Sequence, residues 1–208
     1  MRMAKVLIAV PTFENIYPDT FKALWEMDKG VHDCVFDFVR GYDCASARNN
    51  IVELARKHQA DYILMVDNDV TPPRDALTNL WSNGVDVCLG YYLHRNKGNE
   101  ETYKTCLCKR GELNYTMQYT VDELRDLEAK GQYLIRIHGG GMGCAFIKTS
   151  VFDRINYPYY DWVNYNNAKH SMLSEDLYFC EQCHHANIKI FADTRVGCGH
   201  MFRQLKTV

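Results

Sequence analysis

Short apolar runs alternate with amphipathic runs along the first 94 residues. Residues 5–10 (KVLIAV) and 62–66 (YILMV) are continuous apolar runs that stop at polar or turn residues, which is typical of strands buried on both faces. Residues 34–39 and 85–89 show the same pattern less cleanly. Between them, apolar residues recur with helical spacing, at Phe21, Leu24 and Trp25 and again at Ala47, Ile51, Leu54 and Ala55. This alternation predicts an α/β domain with a largely parallel sheet.

Residues 95–134 interrupt this alternation, so we interpret them as an insertion or flap. They start with a polar run, and Thr120-Val121-Asp122-Glu123 is a capping box that opens a helix which Gly131 can close. Strand patterns return at residues 133–137, 144–147 and 188–191. Two further helices are predicted, one opened by Thr71 and Pro72 and one capped by Ser174 and running to about residue 185.

Composition and overall charge favour an ordinary globular protein. A chain of 208 residues with 47% hydrophobic and 24% charged residues favours one globular domain. Lys and Arg number 24 against 26 Asp and Glu, a balance that gives no overall electrostatic attraction to nucleic acid. No run of 18 apolar residues and no signal-peptide pattern is present, so we expect a cytoplasmic protein without a transmembrane segment. The nine cysteines are then expected to be buried thiols rather than disulfides.

The strongest candidate for chemistry is Asp67-Asn68-Asp69, directly after the apolar run at 62–66. Ligands of open α/β sheets bind beyond the carboxyl ends of the strands, and this strand delivers two carboxylates there. Such hard oxygen ligands suit Mg²⁺ or Mn²⁺, which often bridge to phosphates of a substrate. The alternative is a solvated turn that leads into the next helix.

Two further features follow in the second half of the chain. Ser174-Glu175-Asp176 places two acids at a helix start, and Gly197-Cys198-Gly199-His200 places a histidine near the carboxyl terminus. Each has an ordinary alternative, because acids stabilise any helix N-terminus and a lone histidine is commonly structural. The helix N-terminus is also expected to keep Asp176 ionised at neutral pH.

This ordered set resembles the GT-A fold glycosyltransferases, especially the small family-2-like members. The resemblance also includes Pro11-Thr12-Phe13-Glu14 after the first strand and Ala47-Arg48-Asn49-Asn50 in the second helix. It covers residues 4–94 and 135–203 and leaves 95–134 unmatched. It implies a single GT-A (Rossmann-like) domain over 1–208, with a nucleotide-binding half at about 1–94 and an acceptor-side half at about 135–208.

The resemblance also implies roles for individual residues. Asp69 would bind Mn²⁺ or Mg²⁺ with His200 as a further ligand, and Asp67 would contact the ion, its bound water or the ribose. The donor site would be completed by Arg48, near the uracil or diphosphate, and by residues that line its walls: Pro11, Thr12, Phe13, Glu14, Asn68 and Gly141. Asp176 would be the general base, with Glu175 as the alternative.

The predicted function is therefore a metal-dependent glycosyltransferase that uses a nucleoside-diphosphate sugar, with a UDP-sugar favoured, and a hydroxyl acceptor. Inversion is favoured and retention stays open. The acceptor is a glycan, a protein or a modified base in nucleic acid, the last because four basic residues cluster in the unmatched segment: Lys97, Lys104, Lys109 and Arg110. The rivals are a nucleotidyltransferase, which normally has a glycine-rich loop where this chain has residues 11–14, and a non-catalytic sugar-nucleotide or glycan binding module.

Two other patterns are open to a functional interpretation. Cys180-x-x-Cys183, with Cys106 and Cys108 upstream, is compatible with structural zinc, although the same spacing in a helix also gives two buried thiols. The aromatic loop at 157–167 is predicted to act as a lid over the donor.

Overall fold

The computed structural model describes residues 3–13, 15–41, 43–94, 103–110, 117–164 and 172–201. The helices in these ranges are α1 (Pro18–Glu26), α2 (Cys44–His58), α3 (Ala76–Ser82), α4 (Val121–Ala129) and α5 (Glu175–His185). The strands are β1 (Lys5–Thr12), β2 (Asp33–Arg40), β3 (Tyr62–Val66), β4 (Val70–Thr71), β5 (Val87–Tyr91), β6 (Lys104–Cys108), β7 (Gln118–Thr120), β8 (Leu134–Arg136), β9 (Gly139–Gly140), β10 (Cys144–Lys148), β11 (Val163–Asn164), β12 (Met172–Leu173), β13 (Phe191–Gly197) and β14 (Gly199–His200).

A seven-stranded sheet in the order β2-β1-β3-β10-β5-β13-β8 forms the centre of the protein. The fold is therefore mixed α/β, as predicted, but the expectation of a mostly parallel sheet is wrong. Three neighbouring pairs are parallel and three are antiparallel. The difference arises because β10 enters the sheet between β3 and β5 from their carboxyl ends and must run against both.

The core lies on both faces of the central strands. Residues 6–10 of β1 are at most 1% exposed and residues 63–66 of β3 are fully buried, as continuous apolar runs predict. Helix α2 packs against β1, β2 and β3, and α3 packs against β5, β10 and β13. Each buried Val, Leu or Ile side chain contributes about 1.5–3 kcal/mol to folding, so these strands fix the sheet from which the loops at its carboxyl edge extend.

The described part of segment 95–134 is bonded to the rest of the protein through β6. Strand β6 pairs with β7 on one side and with β9 on the other, where Leu107 lies opposite Gly140. Helix α4 starts with the predicted capping box, in which the Thr120 side chain accepts from the Glu123 backbone N–H and Glu123 accepts in return. Gly131 follows the helix with a positive φ of 73°. The capping box and the helix end are thus confirmed.

Two predicted elements are wrong in position. Thr71 does not cap a helix but pairs with Gly199 in the β4–β14 ladder, and α3 begins at Ala76. The strand expected at 188–191 instead spans Phe191–Gly197. Its middle carries buried polar residues, such as Asp193, which accepts a 2.7 Å hydrogen bond from the Asn83 amide. Buried polar residues obscure the apolar pattern on which strand prediction depends.

Nine free cysteines are present, and six of them are buried: Cys88, Cys106, Cys108, Cys144, Cys180 and Cys183. Cys180 and Cys183 lie inside α5, and the Cys180 thiol faces the Gly140 carbonyl at 3.9 Å.

None of the helices in the described ranges has the length and apolar character needed to cross a membrane.

Candidate active site

A cavity of about 840 Å³ lies at the carboxyl ends of β1 and β3, a size typical of small-molecule sites. It brings together residues that the sequence analysis assigned to donor, metal and catalytic roles. They are Pro11, Thr12, Phe13, Arg48, Asp67, Asn68, Asp69, Gly141, Glu175, Asp176 and His200. Glu14 lies outside the described residues. Residues far apart in the chain therefore share one cavity at the edge of the sheet where α/β proteins bind ligands.

The Asp67–Asp69 loop is held by backbone hydrogen bonds from three other segments. The Asp67 N–H donates to Gly143 O at 3.0 Å, Tyr17 N–H donates to Asn68 O at 3.0 Å, and Met201 N–H donates to Asp69 O at 2.8 Å. The Asn68 side-chain amide also donates to Asn15 O at 2.6 Å. The two carboxylates thus extend from a loop whose backbone position is fixed.

Arg48 joins the two acidic segments of the site. It lies on α2, which starts at the Asp43 cap, and it is 1% exposed. One guanidinium nitrogen, Nη2, donates to Asp67 Oδ1 at 2.9 Å, and the other, Nη1, donates to Glu175 Oε1. Nη1 also lies 2.9 Å from Asp176 Oδ1, an ion pair that lacks the alignment of a hydrogen bond. The guanidinium predicted to approach the donor therefore binds three carboxylates, and its contact with a diphosphate stays a prediction.

The start of α5 presents two acids in different surroundings. Ser174 caps the helix by accepting a 3.5 Å hydrogen bond from Leu177 N–H, as predicted. The Glu175 side chain is 7% exposed and the Asp176 side chain 19%. Burial raises the pKa of Asp176 to about 7; Arg48 opposes this rise, while Glu175 and Asp67 add to it. Burial therefore opposes the ionisation of Asp176 that the helix N-terminus is expected to favour.

Asp69 and His200 form the second polar pair of the site. The β4–β14 ladder places His200 opposite Val70, next to Asp69. His200 Nδ1 lies 2.8 Å from Leu93 O, and because a carbonyl only accepts, Nδ1 carries the proton. In neutral imidazole the lone pair is then on Nε2, which lies 3.6 Å from Asp69 Oδ2. A nitrogen lone pair and a carboxylate oxygen facing each other are suited to share a cation.

The predicted three-residue metal set is only partly assembled. Asp69 and His200 are adjacent, whereas the Asp67 carboxylate faces Arg48. Within the described ranges, no group of three or more His, Cys, Asp and Glu residues has an arrangement that could hold a metal ion. Binding of Mn²⁺ or Mg²⁺ by all three residues stays a prediction.

Several lining residues were missed by sequence reasoning. Tyr92 follows the carboxyl end of β5, a position that strand-end reasoning could have identified. Its hydroxyl accepts from Gly143 N–H at 3.1 Å, and a Cβ on Gly141 would lie 2.2 Å from it. Residues from the 95–134 segment also line the cavity, among them Cys106, Cys108 and Gln118. No local pattern indicates this, because it depends on the pairing of β6 with β9.

The cysteines in the cavity wall are protonated at neutral pH. Burial raises the pKa of Cys44 to about 11, that of Cys106 to about 12 and that of Cys108 to about 11. A reactive cysteine requires a thiolate. These thiols therefore do not offer a nucleophile.

Part of the aromatic loop that was predicted to act as a lid belongs to the hydrophobic core. Tyr159 and Tyr160 are buried, and their backbone N–H groups donate to Asn49 Oδ1 at 3.0 and 3.2 Å. The Tyr160 ring stacks on Phe179 with 5.0 Å between centroids. The loop is thus fixed as far as Tyr160, Trp162 beyond it lines the cavity, and residues 165–167 lie outside the described residues.

Comparison with known proteins gives a match of fold alone. No family model matches the chain, and no curated protein sequence matches it. Among solved structures, the chain is similar to the crystal structure of A197 from STIV, with a TM-score of 0.62 and 17% sequence identity. The match covers 96% of this chain and 86% of that one. At this identity, the comparison establishes a shared fold over nearly the whole chain.

Proposed function

We propose that this protein is a metal-dependent glycosyltransferase that transfers a sugar from a nucleoside-diphosphate sugar, preferably a UDP-sugar, to a hydroxyl group, with inversion. The observation that carries the proposal is the convergence of the Asp67–Asp69 loop, the acidic start of α5 and His200 on one cavity at the carboxyl ends of the strands. Ligands of open α/β sheets bind at this edge.

The charge of the cavity supports a requirement for a cation. Its described lining contains five carboxylates and one guanidinium: Asp43, Asp67, Asp69, Glu175 and Asp176 against Arg48. A nucleoside diphosphate adds further negative charge, and like charges in a partly buried site repel strongly. A divalent ion bound with the donor would offset this repulsion and stabilise the diphosphate as it departs.

Asp69 and His200 are the residues best placed to hold that ion. Their facing Oδ2 and Nε2 atoms supply a hard oxygen and an imidazole nitrogen, a combination that suits Mn²⁺ and also accepts Mg²⁺. The hydrogen bond from His200 Nδ1 to Leu93 O fixes the imidazole orientation, as outer contacts of metal-binding histidines commonly do.

Asp176 is the residue that we assign as the general base. The acceptor oxygen attacks the anomeric carbon, its proton passes to the Asp176 carboxylate, and the bond to the diphosphate breaks with its electrons leaving on the nucleoside diphosphate. A pKa of about 7 matches a base that works near neutral pH. The Glu175 side chain is the more buried of the two acids, which favours Asp176 for contact with the acceptor.

Thermal unfolding with UDP tests the donor and metal assignments. At a ligand concentration 100 times Kd, binding stabilises the native state by about 2.7 kcal/mol, which raises the Tm of a chain of this size by roughly 5–10 °C. We expect this rise with UDP and Mn²⁺ and a much smaller one with UDP and EDTA. Asp69→Asn should lose the metal-dependent part, while the control Asp153→Asn, whose side chain is 68% exposed, should keep it. Equal shifts with Mn²⁺ and EDTA would refute the metal assignment.

A screen of nucleotide sugars for Mn²⁺-dependent hydrolysis then tests the reaction without knowledge of the acceptor. Release of UDP from one UDP-sugar, lost in Asp176→Asn with the UDP-dependent melting shift preserved, supports the proposal. Release of pyrophosphate from a nucleoside triphosphate would instead identify a nucleotidyltransferase. Binding of sugar nucleotides with no turnover of any would identify a binding module.

A further inference from the structure

Trp162 lines the same cavity as the predicted base, Asp176. Strands β11 and β12 pair antiparallel, with Val163 opposite Leu173. Trp162 directly precedes β11, and Ser174, the N-cap of α5, directly follows β12. Trp162, Ser174 and Asp176 all line the cavity. A hydrogen bond of 2.8 Å from the Trp162 N–H to Asp161 Oδ1 fixes the backbone at this point.

The exposure of Trp162 separates it from Tyr159 and Tyr160 of the same loop. Tyr159 and Tyr160 are 5% and 1% exposed and belong to the core, whereas Trp162 is 47% exposed and lines the cavity. A large aromatic ring held half-exposed at a polar cavity offers an apolar, electron-rich face next to hydrogen-bonding groups. A pyranose ring is complementary to such a surface, since one of its faces presents C–H groups and its rim presents hydroxyls.

The negative charge of the same cavity favours a neutral acceptor over one that bears phosphate. The donor diphosphate would arrive with its own cation, but a phosphate-bearing acceptor would meet the carboxylates of Glu175 and Asp176 without one. Of the basic residues that suggested a nucleic-acid acceptor, the three that the structure describes, Lys104, Lys109 and Arg110, do not belong to the cavity lining. Lys109 forms an ion pair with Glu123 and lies over the Tyr119 ring at 5.2 Å, and Lys97 lies outside the described residues.

From these observations we propose that the acceptor is a neutral carbohydrate, one pyranose ring of which stacks on the Trp162 indole while a hydroxyl group of the sugar faces Asp176. The proposal rests on the glycosyltransferase function above and specifies its substrate class. Trp162 is a binding residue in this account, and it takes no part in proton transfer.

Saturation-transfer NMR with a panel of neutral mono- and disaccharides, in the presence of UDP and Mn²⁺, tests the proposal without turnover. We expect at least one sugar to bind the wild-type protein, Trp162→Ala to weaken that binding by about tenfold or more, and Trp162→Phe to retain most of it. Tyr157→Ala is the matched control, because Tyr157 belongs to the same loop, is 70% exposed and does not belong to the cavity lining described above.

The outcomes separate this proposal from the proposed function. If no neutral sugar binds, or if Trp162→Ala binds the sugar as tightly as the wild type, the assignment of Trp162 is wrong, whatever the donor assays give. Transfer from the donor to a peptide or to DNA, with no transfer to sugars, would overturn the acceptor class and leave the glycosyltransferase function intact. Sugar binding that depends on Trp162, without any UDP-dependent melting shift, would support the carbohydrate site and refute the donor site.

Discussion

Replacing Asp176 with asparagine should remove a pH-dependent part of the stability of this protein. Burial raises the pKa of Asp176 from 3.8 to about 7, so between these values the folded protein holds a proton that the unfolded chain releases. A state that binds more protons is favoured by acid. The contribution of this carboxyl group to the free energy of unfolding is therefore fully present below pH 3.8 and is lost as the pH rises through about 7.

The size of the effect follows from these two pKa values. At pH 5.5 the folded carboxyl group is almost fully protonated and the unfolded one almost fully ionised, whereas at pH 8.5 both are ionised. Linkage then predicts that the group contributes about 2 kcal/mol less to the free energy of unfolding at pH 8.5 than at pH 5.5. The side chain is 19% exposed, so solvent screening is a modest correction to this value.

Urea unfolding at the two pH values measures the effect. The wild type, Asp176→Asn and the exposed control Asp153→Asn are compared in EDTA, so that no divalent ion binds the site. Apart from Asp153 and Asp176 themselves, the three proteins have the same titrating groups, so the contributions of those groups cancel in the differences. We expect the stability of the wild type and of Asp153→Asn to fall more steeply with pH than that of Asp176→Asn, by about 2 kcal/mol over this interval. Parallel pH profiles for all three proteins would show that Asp176 titrates normally and would refute this account.

Two further predictions concern the packing near the site and the state of the cysteines. Gly141→Ala should destabilise the protein by about 1–3 kcal/mol through overpacking, because its Cβ would lie 2.2 Å from the Tyr92 hydroxyl. Chemical denaturation of Gly141→Ala with and without Tyr92→Phe should show that the second substitution restores part of the lost stability, whereas additive losses would contradict the clash. All nine cysteines are free, so thiol titration of the unfolded, unreduced protein should count nine reactive groups. Elemental analysis should find less than one zinc per chain. One zinc per chain that is lost on Cys180→Ser would establish a structural zinc site instead.

The features that could be predicted from sequence are those set by local patterns. The buried strand at Tyr62–Val66, the capping box at Thr120 and the Ser174 cap each depend on residues within a few positions of one another. The direction of β10 and the pairing of β4 with β14 depend on contacts between distant segments. For this reason the sheet was expected to be mostly parallel and Thr71 was misassigned to a helix cap.

The candidate site also has parts that local sequence patterns predict and parts that depend on distant contacts. Asp67 and Asp69 were identified because they follow a clear strand, and the structure brings them into a cavity with Asp176 and His200. The environment of Arg48 was not predictable, because one of its partners, Glu175, lies 127 residues away along the chain. The raised pKa of Asp176 has the same origin, since burial by the tertiary fold is its largest cause.

The backbone bonding of the Asp67–Asp69 loop has a consequence for how such proteins diverge. Three backbone hydrogen bonds join this loop to main-chain atoms of Gly143, Tyr17 and Met201, and those atoms are present whatever side chains the loop carries. Evolution can therefore exchange the acids at positions 67 and 69 without moving the loop.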